Sequence, residues 1–317
     1  MAECDEMLKR RDVYKWEKEK DHVRLGKEYK LLEQEGGSQV SGPNFYFFAN
    51  EAALLELALV NWATLFVASK GFTPILTPDV AKNHIIEACG FAPRGSNTTS
   101  QVYNIEGTDT SLVATAEITL AGLYYDRILS IKETPVKLVG FSHCFRPEVG
   151  SGQYSRGIYR LHQFSKVEMF AISTPEKSEE MHSELLDVQK QVCDALGLSC
   201  RVVDMASGDL GAPAYRKFDV EAFMPSRGGY GEISSTSNCT DFQSRRLEIR
   251  YQKAVGQNVY THTLNGTALA VPRVLIAILE NNLRSDGSID IPNCLVPFMG
   301  GIDKIKPASD LTLHDKK

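Results

Sequence analysis

The sequence shows no strong excess of either charge. Its 317 residues include 35 lysines and arginines against 40 aspartates and glutamates, which gives a formal net charge of −5 at pH 7. A nucleic-acid partner must therefore be bound by a local basic patch, because the molecule as a whole is not basic. The charge balance excludes a generally basic binding protein and identifies no ligand.

The sequence also lacks the patterns of metal sites and of membrane anchors. The seven cysteines lie far apart, without a CxxC pair or the paired cysteine and histidine spacing of zinc sites. We therefore expect no zinc, and an odd, scattered set of thiols is typical of a reducing compartment. We expect no apolar run to approach the roughly 18 residues of a membrane span, and the start MAECDEMLKRRD is too acidic for a typical transit peptide. The sequence thus predicts a soluble protein without a membrane partner.

Two regions are predicted along the chain. Residues 1–35 are dense in both signs of charge and poor in glycine, which is typical of a solvated surface helix with a few apolar contacts. The stretch GGSQVSGPN then predicts a loop, and residues 36–317 are predicted to form the main domain. Within it, EAALLELALVNWATLFVASK at 51–70 is apolar almost all round. Such a helix must be covered on several sides, by a sheet, by a partner subunit or by both.

The main domain is predicted to have an α+β fold. GFTPILTPDV indicates a short edge strand ended by Pro78, and further strands are predicted in PVKLVGFSHCF, RLHQFSKVEMFAI, SCRVVDMA, RKFDVEAFMP and YGEISSTSN. Helices are predicted in TAEITLAGLYYDRIL, in PEKSEEMHSELLDVQKQVCDALG, around residues 240–253 and in LAVPRVLIAILENNL. Several strands follow one another without an intervening helix, so the pattern indicates a mainly antiparallel sheet flanked by helices.

Residues 144–170, CFRPEVGSGQYSRGIYRLHQFSKVEMF, place opposite charges in a predicted hairpin. Because side chains alternate across a strand, one face of its second strand would carry Arg160, His162, Phe164, Lys166 and Glu168. Arg146 and Glu148 share a face of the first strand in the same way. A solvated, salt-bridged sheet face would explain these charges, but an aromatic side chain between them also suits a flat ligand ring packed against Phe164 and an arginine.

Two further stretches place polar groups within apolar structure. In FDVEAFMPSRGGYGEISSTSN, Glu232 and Ser235 offer oxygen ligands for Mg²⁺, which takes one or two carboxylates together with phosphate oxygens. A structural hydrogen-bond cluster is an equal alternative. TLNGTALAVPRVLIAILEN predicts a turn at 265–267, followed by Arg273 near the start of an apolar helix. A cation at a helix N-terminus suits a bound anion such as phosphate, although Arg273 as a surface residue remains an alternative.

Together these stretches resemble the motifs of the class II aminoacyl-tRNA synthetases. GFTPILTPDV after its long helix is similar to motif 1, CFRPE with RGIYRLHQFSKVEMF to motif 2, and NGTALAVPR to motif 3. ATAE at 114–117, LHQFSKVE and HTLNGTA resemble the seryl-tRNA synthetase family. DLGAPAYRKFDVEAFMP and GEISSTSNCTDFQSRRL resemble its organellar and bacterial members. The resemblance covers roughly residues 36–305, and the order and spacing of the motifs make it specific.

The resemblance implies the class II catalytic fold, a reaction and a set of site residues. Serine would attack ATP to give seryl-adenylate and pyrophosphate, and the seryl group would pass to the 3′ end of tRNA(Ser), with tRNA(Sec) left open as a second acceptor. It implies ATP-binding roles for Arg146, Glu148, Arg160, Phe164, Glu232, Ser235 and Arg273. It implies serine-binding roles for Thr115, Glu117, Arg146, Glu168, Asn265 and Thr267. Arg146, Glu232 and Arg273 would act in catalysis, and Glu232 and Ser235 would bind Mg²⁺.

Such a reaction needs positioned charge more than a general base. Guanidinium groups and Mg²⁺ would orient the phosphates and stabilise their charge, and arginine suits this task because its planar fork matches paired oxygens. A pocket that satisfies the serine hydroxyl would reject alanine by roughly 10⁴-fold, because the unpaired polar groups are costly.

The resemblance also sets out where this chain departs from the family. Its members carry an N-terminal arm of two long helices that binds tRNA(Ser), whereas about 35 residues precede the core here, too few for that hairpin. Tyr154 in the loop GSGQYSRG is an unusual residue for a contact to the tRNA acceptor end. Two alternatives are a ligase that passes serine to a carrier protein and a non-catalytic synthetase-like subunit. The likeness further implies a homodimer through the motif 1 helix and a mitochondrial or other organellar location, with the cytoplasm as the alternative.

Overall fold

A computed structural model describes residues 21–91, 101–147 and 157–307 of the chain. Within these ranges the helices are α1 (His22–Glu28), α2 (Gln34–Ser41), α3 (Asn50–Ala68), α4 (Asn83–Ala88), α5 (Ala116–Gly122), α6 (Ser178–Leu196), α7 (Phe242–Leu247) and α8 (Val271–Asn281). Short 3₁₀ turns occupy Ile131–Glu133, Pro175–Lys177, Ser207–Asp209, Pro225–Arg227 and Val296–Met299.

The strands within the same ranges vary in length from two to 11 residues. They are β1 (Leu32–Glu33), β2 (Phe47–Phe48), β3 (Thr73–Leu76), β4 (Val80–Lys82), β5 (Thr110–Leu112), β6 (Ile128–Ser130), β7 (Val136–Phe145), β8 (Gln163–Ser173), β9 (Cys200–Asp204), β10 (Arg216–Met224), β11 (Gly229–Asn238), β12 (Arg250–Ala254), β13 (Gln257–Tyr260), β14 (His262–Ala270), β15 (Ile289–Asp290) and β16 (Lys304–Ile305). The predicted strands of the main domain are therefore present.

A seven-stranded sheet in the order β3-β7-β8-β14-β11-β10-β9 forms the centre of the fold. Every neighbouring pair is antiparallel except β3 and β7, which run parallel at one edge. The edge position of β3 agrees with Pro74 within the strand and Pro78 just after it, because proline cannot donate to a sheet ladder. The predicted α+β fold with a mainly antiparallel sheet is confirmed.

The two faces of β8 serve different purposes because its side chains alternate. Val167 and Met169 pack into the main hydrophobic core with α3, α6 and α8. Phe170 and Ile172 point to the opposite face and pack into a second core with α4, α5 and α7. The face of the second core continues along β8 toward its start, where charged side chains replace apolar ones. A polar site on this face is therefore bounded by a rigid apolar layer.

The described part of the charged N-terminal stretch contains a short helix, α1, with exposed charges at Arg24, Lys27 and Glu28 and a buried apolar side. Leu25, Tyr29 and Leu31 are buried in the main core. Apolar side chains placed at i, i+4 and beyond on a short helix suffice to bury one side even where the opposite side is charged. The charged helix with a few apolar contacts is therefore present at His22–Glu28, although residues 21–33 are buried more than the sequence predicted, and the boundary at residue 35 stays a prediction.

Other predicted elements begin or end elsewhere. GGSQVSGPN was expected to be a loop, yet its first residues lie in α2, where the side chain of Glu33 caps the helix by accepting from the backbone N–H of Gly36 at 2.9 Å. A Cβ on Gly37 would lie 2.3 Å from the carbonyl oxygen of Phe45, so this helical glycine permits a close approach of two backbones. The helix expected around 240–253 ends at Leu247, and β12 follows it.

Helix α3 corrects the expectation about membrane-length segments. Asn50–Ala68 is long and apolar enough to span a membrane by length and composition alone. This is weak evidence, because a buried core helix passes the same test. Leu55, Leu59 and Trp62 of this helix are buried against the main core, whereas Leu57 and Leu65 are 63% and 60% exposed. The helix therefore has one face that the chain covers and one that it leaves open.

Candidate active site

One cavity of about 330 Å³ lies on the sheet face beside the second core. All the predicted site residues that the structure describes line it: Thr115, Glu117, Arg146, Arg160, Phe164, Glu168, Glu232, Ser235, Asn265, Thr267 and Arg273. They come from segments far apart in the sequence. The remaining predicted residue, Glu148, lies outside the described residues, as does most of the loop GSGQYSRG.

Strand β8 supplies three of the five residues of the predicted charged face, because Arg160 and His162 both precede it. Phe164, Lys166 and Glu168 alternate along the strand and line the cavity. His162 was expected on the same face, but it precedes the strand. Its ring stacks on Phe45 at a centroid distance of 5.3 Å and its Nδ1 lies 2.8 Å from the hydroxyl of Tyr103. The alternation argument fails at His162 because the extended backbone has not yet begun there.

A β-bulge brings Glu232 and Ser235 to the same cavity. In a regular strand, residues three apart face opposite sides. The pairing of β11 with β10 shifts by one residue, so that Glu232 pairs with Glu221 while Ser234 pairs with Val220. The extra residue restores both side chains to the cavity face. Sequence alternation alone would have separated this predicted pair.

Asn265 and Thr267 lie within a strand and not in the turn that the sequence predicted. They belong to β14, a central strand that pairs with β8 and β11. The prediction of a turn rested on Gly266 between them. A Cβ at this glycine would lie 3.2 Å from Thr236 Oγ1 and 3.3 Å from Met169 Cε. Glycine serves here for close packing within the sheet. A glycine between polar residues occurs both in turns and at close-packed positions of a sheet, so the sequence pattern did not distinguish them.

Glu117 is a buried carboxylate at the start of α5. Thr115 caps this helix, and its hydroxyl accepts from the backbone N–H of Glu117 at 3.3 Å. Glu117 Oε1 accepts hydrogen bonds from Gln243 Nε2 at 2.6 Å and from Asn265 Nδ2 at 2.9 Å. Burial and the negative charge of Glu168 raise the pKa of Glu117 to about 7, although the hydrogen bond from Gln243 and the charge of Lys166 oppose the rise.

Gln243 holds this carboxylate, although the stretch that contains it, GEISSTSNCTDFQSRRL, suggested no role for this residue. The side chain is fully buried, and its Oε1 accepts from the hydroxyl of Thr263 at 2.7 Å. With Oε1 used in this way, the amide nitrogen must face Glu117, which fixes the orientation of both groups. The only sequence signal was a polar residue on a short helix beside apolar ones.

Lys166 is a second residue whose role the sequence did not reveal. Its Nζ lies 2.5 Å from Glu168 Oε2, and both side chains are almost fully buried. The hydroxyl of Thr267 donates to the same carboxylate oxygen at 3.1 Å. A buried pair of this kind is costly to break from one side, because the remaining charge loses its partner. The alternation had placed Lys166 on the right face, but it gave the side chain no task.

The opposite end of the cavity is built around Tyr159 and Arg273. The hydroxyl of Tyr159 donates to the carbonyl oxygen of Glu232 at 2.9 Å, and the Arg273 guanidinium lies 4.5 Å from the Tyr159 ring. Arg273 also pairs with the Glu232 carboxylate at 3.2 Å. Burial would raise the pKa of Glu232, but Arg273, Lys217 and Arg146 outweigh it and lower that pKa below its usual value. Glu232 therefore stays ionised.

Arg146 lies between the two ends of the cavity. Its guanidinium is 5.2 Å from the ring of Phe164, and its Nη2 donates a long hydrogen bond of 3.5 Å to the carbonyl oxygen of Ala114. A cation over an aromatic face is favourable, yet these contacts leave most of its five donors for a ligand. The arrangement suits an anion with paired oxygens, such as a carboxylate or phosphate.

The donor set fits Mg²⁺ only when a ligand completes it. Within the described ranges, no group of three or more His, Cys, Asp or Glu side chains is placed to hold a metal ion. The cavity instead offers one ionised carboxylate, Glu232, and one hydroxyl, Ser235. Mg²⁺ commonly binds through one or two carboxylates and takes its other ligands from phosphates and water. These residues therefore fit an ion that arrives with a nucleotide.

A second cavity of about 330 Å³ adjoins the first. The two share Phe91, Glu117, Arg146, Lys217 and Asn265 as lining residues. The second cavity is otherwise lined by Gln101, Ala114, Gly211, Pro213, Ala214, Ser237 and Cys239. A ligand in the first cavity would thus have a neighbouring space next to Glu117 and Asn265.

Comparison with known proteins identifies the family. Residues 101–282 match the tRNA synthetase class II core domain (G, H, P, S and T). The chain belongs to this family. This class II synthetase chain is 53% identical to the serine–tRNA ligase of Treponema denticola over 284 residues, which cover 89% of the chain and 67% of that protein. The resemblance to seryl-tRNA synthetases that the motifs indicated is confirmed.

Solved structures agree with this assignment. The crystal structure of seryl-tRNA synthetase from Pyrococcus horikoshii complexed with ATP matches with a TM-score of 0.86 at 39% identity, over 91% of this synthetase chain and 64% of that chain. The cytoplasmic serine–tRNA ligase from Naegleria fowleri in complex with AMP matches with a TM-score of 0.84 at 35% identity, over 91% and 68% of the two chains. The chain thus spans about two thirds of the length of these relatives.

Proposed function

We propose that this chain activates serine with ATP to give seryl-adenylate and pyrophosphate, and transfers the seryl group to the 3′ end of tRNA(Ser). The observation that carries the proposal is the convergence of the described motif residues on one cavity. The relatives named serine–tRNA ligase support the choice of serine. The ATP complex of the Pyrococcus horikoshii enzyme supports the choice of nucleotide.

In this proposal the two ends of the cavity bind different substrates. Glu117, Glu168, Asn265 and Thr267 would hold serine, since their oxygens and amide suit an ammonium and a hydroxyl. Arg273, with Arg160, Phe164 and the undescribed Glu148, would hold ATP. A serine carboxylate and the ATP α-phosphate would meet at Arg146, whose fork matches paired oxygens.

Mg²⁺ would be held by Glu232 and Ser235 and would supply positive charge to the phosphates of ATP. Glu232 is suited to this because its pKa is lowered and the carboxylate stays ionised. Arg273 lies 3.2 Å from the same carboxylate and keeps it oriented. Little proton transfer is needed in the first step, so positioning and charge stabilisation by these side chains carry the chemistry.

The proposal extends to assembly and location. A homodimer through α3 would cover the exposed Leu57 and Leu65, as isologous interfaces use the same patch on both subunits. The cavity beside Glu117 and Asn265 would admit the terminal adenosine of tRNA. An organellar location is our expectation from the motif resemblance, and subcellular fractionation of a tagged chain is its test.

The direct test is serine-dependent ATP–pyrophosphate exchange, followed by tRNA charging with the same preparation. We expect exchange with serine, and Arg146→Ala should abolish it. Arg201→Ala is the matched control, because Arg201 pairs with Glu221 at 2.6 Å on an edge strand and does not line the cavity. Absence of exchange with serine in the unaltered chain would contradict the proposal. Exchange without charging would favour the alternative of a ligase that passes serine to a carrier protein.

A non-catalytic subunit is the second alternative. It predicts no exchange with any amino acid, although the chain would still fold. The charged side chains that line the cavity among the described residues disfavour it, since a purely structural role does not require Arg146, Glu168 and Arg273 to converge on one open space.

A further inference from the structure

The N-terminal segment, residues 21–33, contacts the wall of the cavity through His22. His22, the first residue of α1, is 3% exposed. Its Nδ1 lies 2.9 Å from Glu280 Oε1, and its Nε2 lies 3.4 Å from the backbone nitrogen of Ile158. Ile158 lines the cavity. We propose that His22 is a positioning residue that links the N-terminal segment to the ATP-binding end of the cavity.

The two contacts define the state of the ring. A carboxylate only accepts hydrogen bonds, so Nδ1 of His22 carries the proton that Glu280 accepts. The backbone N–H of Ile158 needs an acceptor, and Nε2 can serve only if it carries no proton. The neutral tautomer with its proton on Nδ1 therefore satisfies both neighbours at once. An imidazolium would place two N–H donors against each other at Ile158.

Glu280 anchors the ring from the far side. Besides His22 Nδ1, the carboxylate accepts from the backbone N–H and the hydroxyl of Ser226, at 3.0 and 2.8 Å, and from the backbone N–H of His22 at 3.2 Å. Burial raises the pKa of Glu280, but the hydrogen bonds from His22 and Ser226 outweigh this and lower it. Helix α8, which carries Glu280, thus fixes the direction in which the imidazole points.

Gly157 shows how closely the two segments approach. Its φ is +66°, and a Cβ added there would lie 2.0 Å from His22 Nε2 and 2.6 Å from Val23 Cγ2. Both the backbone conformation and the space therefore require glycine. This contact is independent of the hydrogen bond and brings the chain directly against the imidazole at the point where the described part of motif 2 resumes.

The link continues from Ile158 to the ATP-binding end through one residue. Tyr159 follows Ile158, and its hydroxyl donates to the carbonyl oxygen of Glu232. The Arg273 guanidinium lies over the Tyr159 ring, and its Nη1 donates to the same carbonyl oxygen of Glu232 at 3.1 Å. A shift of Ile158 would therefore displace the ring that supports Arg273. The serine-binding end rests on α5, β8 and β14 and, among the residues that the structure describes, has no such link to His22.

The inference gives residues 21–33 a part in the site that none of the three motifs suggests. It rests on the proposed function only for its kinetic readout. Replacing His22 by an amide residue allows the contact with Glu280 and the contact with Ile158 to be tested separately. Asparagine at position 22 places an amide near the position of Nδ1 and keeps the bond to Glu280, but it is too short to reach Ile158. Glutamine reaches the position of Nε2 with an acceptor.

The experiment compares His22→Asn, His22→Gln and the packing control Leu25→Ala in the full chain. We expect His22→Asn to raise the KM for ATP in pyrophosphate exchange by about five- to tenfold, the effect of one lost buried hydrogen bond. The KM for serine should change less than about twofold, and His22→Gln should restore most of the ATP affinity. Leu25→Ala lowers the melting temperature through lost burial on the same helix, but should leave the KM for ATP near that of the unaltered chain.

Calorimetric titration with ATP repeats the comparison without relying on turnover. If the unaltered chain binds ATP but exchanges nothing with serine, the proposed function fails while the link stays testable. Equal ATP affinity in His22→Asn and the unaltered chain would overturn the link. So would a loss of ATP affinity in Leu25→Ala as large as in His22→Asn, because His22 would then act only through stability.

Discussion

Glu117 should make serine activation depend on pH near neutrality. Its pKa is raised to about 7, first by burial and then by the charge of Glu168. At pH 7 about half of the free molecules would therefore carry a neutral Glu117. If the carboxylate form binds serine, kcat/KM for serine should rise about tenfold between pH 6 and pH 8, the ratio of the ionised fractions. Pyrophosphate exchange over this range measures it.

Two substitutions separate this cause from other titrations. Glu117→Gln removes the ionisation, so kcat/KM for serine should be low and nearly independent of pH. Gln243→Leu removes the hydrogen bond that lowers the pKa of Glu117, so the rise should move to higher pH. The KM for ATP serves as the internal control, since the ATP-binding end lies across the cavity. A flat serine profile in the unaltered chain, or a rise that survives in Glu117→Gln, would refute the reasoning.

Stability offers a second measurement with a defined sign. The folded chain holds the proton of Glu117 more tightly than the unfolded chain, because the pKa is about 7 instead of the ordinary 4.5. The free energy of unfolding should therefore fall as pH rises through this window, by on the order of 3 kcal/mol from this group. Glu117→Gln removes the cost, so denaturant titrations should show it gaining stability relative to the unaltered chain as pH rises from 4.5 to 8.

Three further outcomes follow from single contacts. Thr267→Val removes the hydroxyl that donates to Glu168, and the preference for serine over alanine in pyrophosphate exchange should fall by roughly 10- to 100-fold, whereas unchanged discrimination would exclude Thr267 from the serine site. Gly157→Ala should lower the free energy of unfolding in urea by about 1–3 kcal/mol, from its positive φ and its contact with His22; a neutral result would mean that the two segments separate easily. Leu57→Asp should give monomers in sedimentation analysis, with the fully exposed Val255→Asp as the control; equal masses would refute the α3 interface.

The motif 2 strand shows why so much of the site could be predicted from the sequence. Alternation depends only on extended backbone, so Phe164, Lys166 and Glu168 share a face wherever β8 is regular. Arg273 could be chosen because a cation near a helix N-terminus suits a bound anion, whereas the role of Arg146 came from the motif resemblance. Both the alternation of side chains and the need of a charge for a partner depend on residues that are close in the sequence. They can therefore be predicted without knowledge of the sheet.

The errors arise where distant parts of the chain decide the outcome. The bulge beside Glu232 depends on pairing with β10, and the strand through Asn265 and Thr267 depends on central neighbours that a glycine pattern does not reveal. Leu25 is buried because α1 packs against α8 in the main core, although its own segment is strongly charged. In each case tertiary contacts override a correct local preference.

Ion pairs within the cavity also lower the cost of its buried charges while no substrate is bound. Lys166 is neutralised by Glu168 and Arg273 by Glu232, so these charges avoid most of the cost of being buried alone. Arg146 has only weak contacts, a long hydrogen bond to a carbonyl oxygen and the face of Phe164. Most of its donors are therefore open to an anion. Ion pairs thus neutralise the charged residues at the two ends of the cavity. The donors of Arg146 stay open at the point where the two substrates would meet.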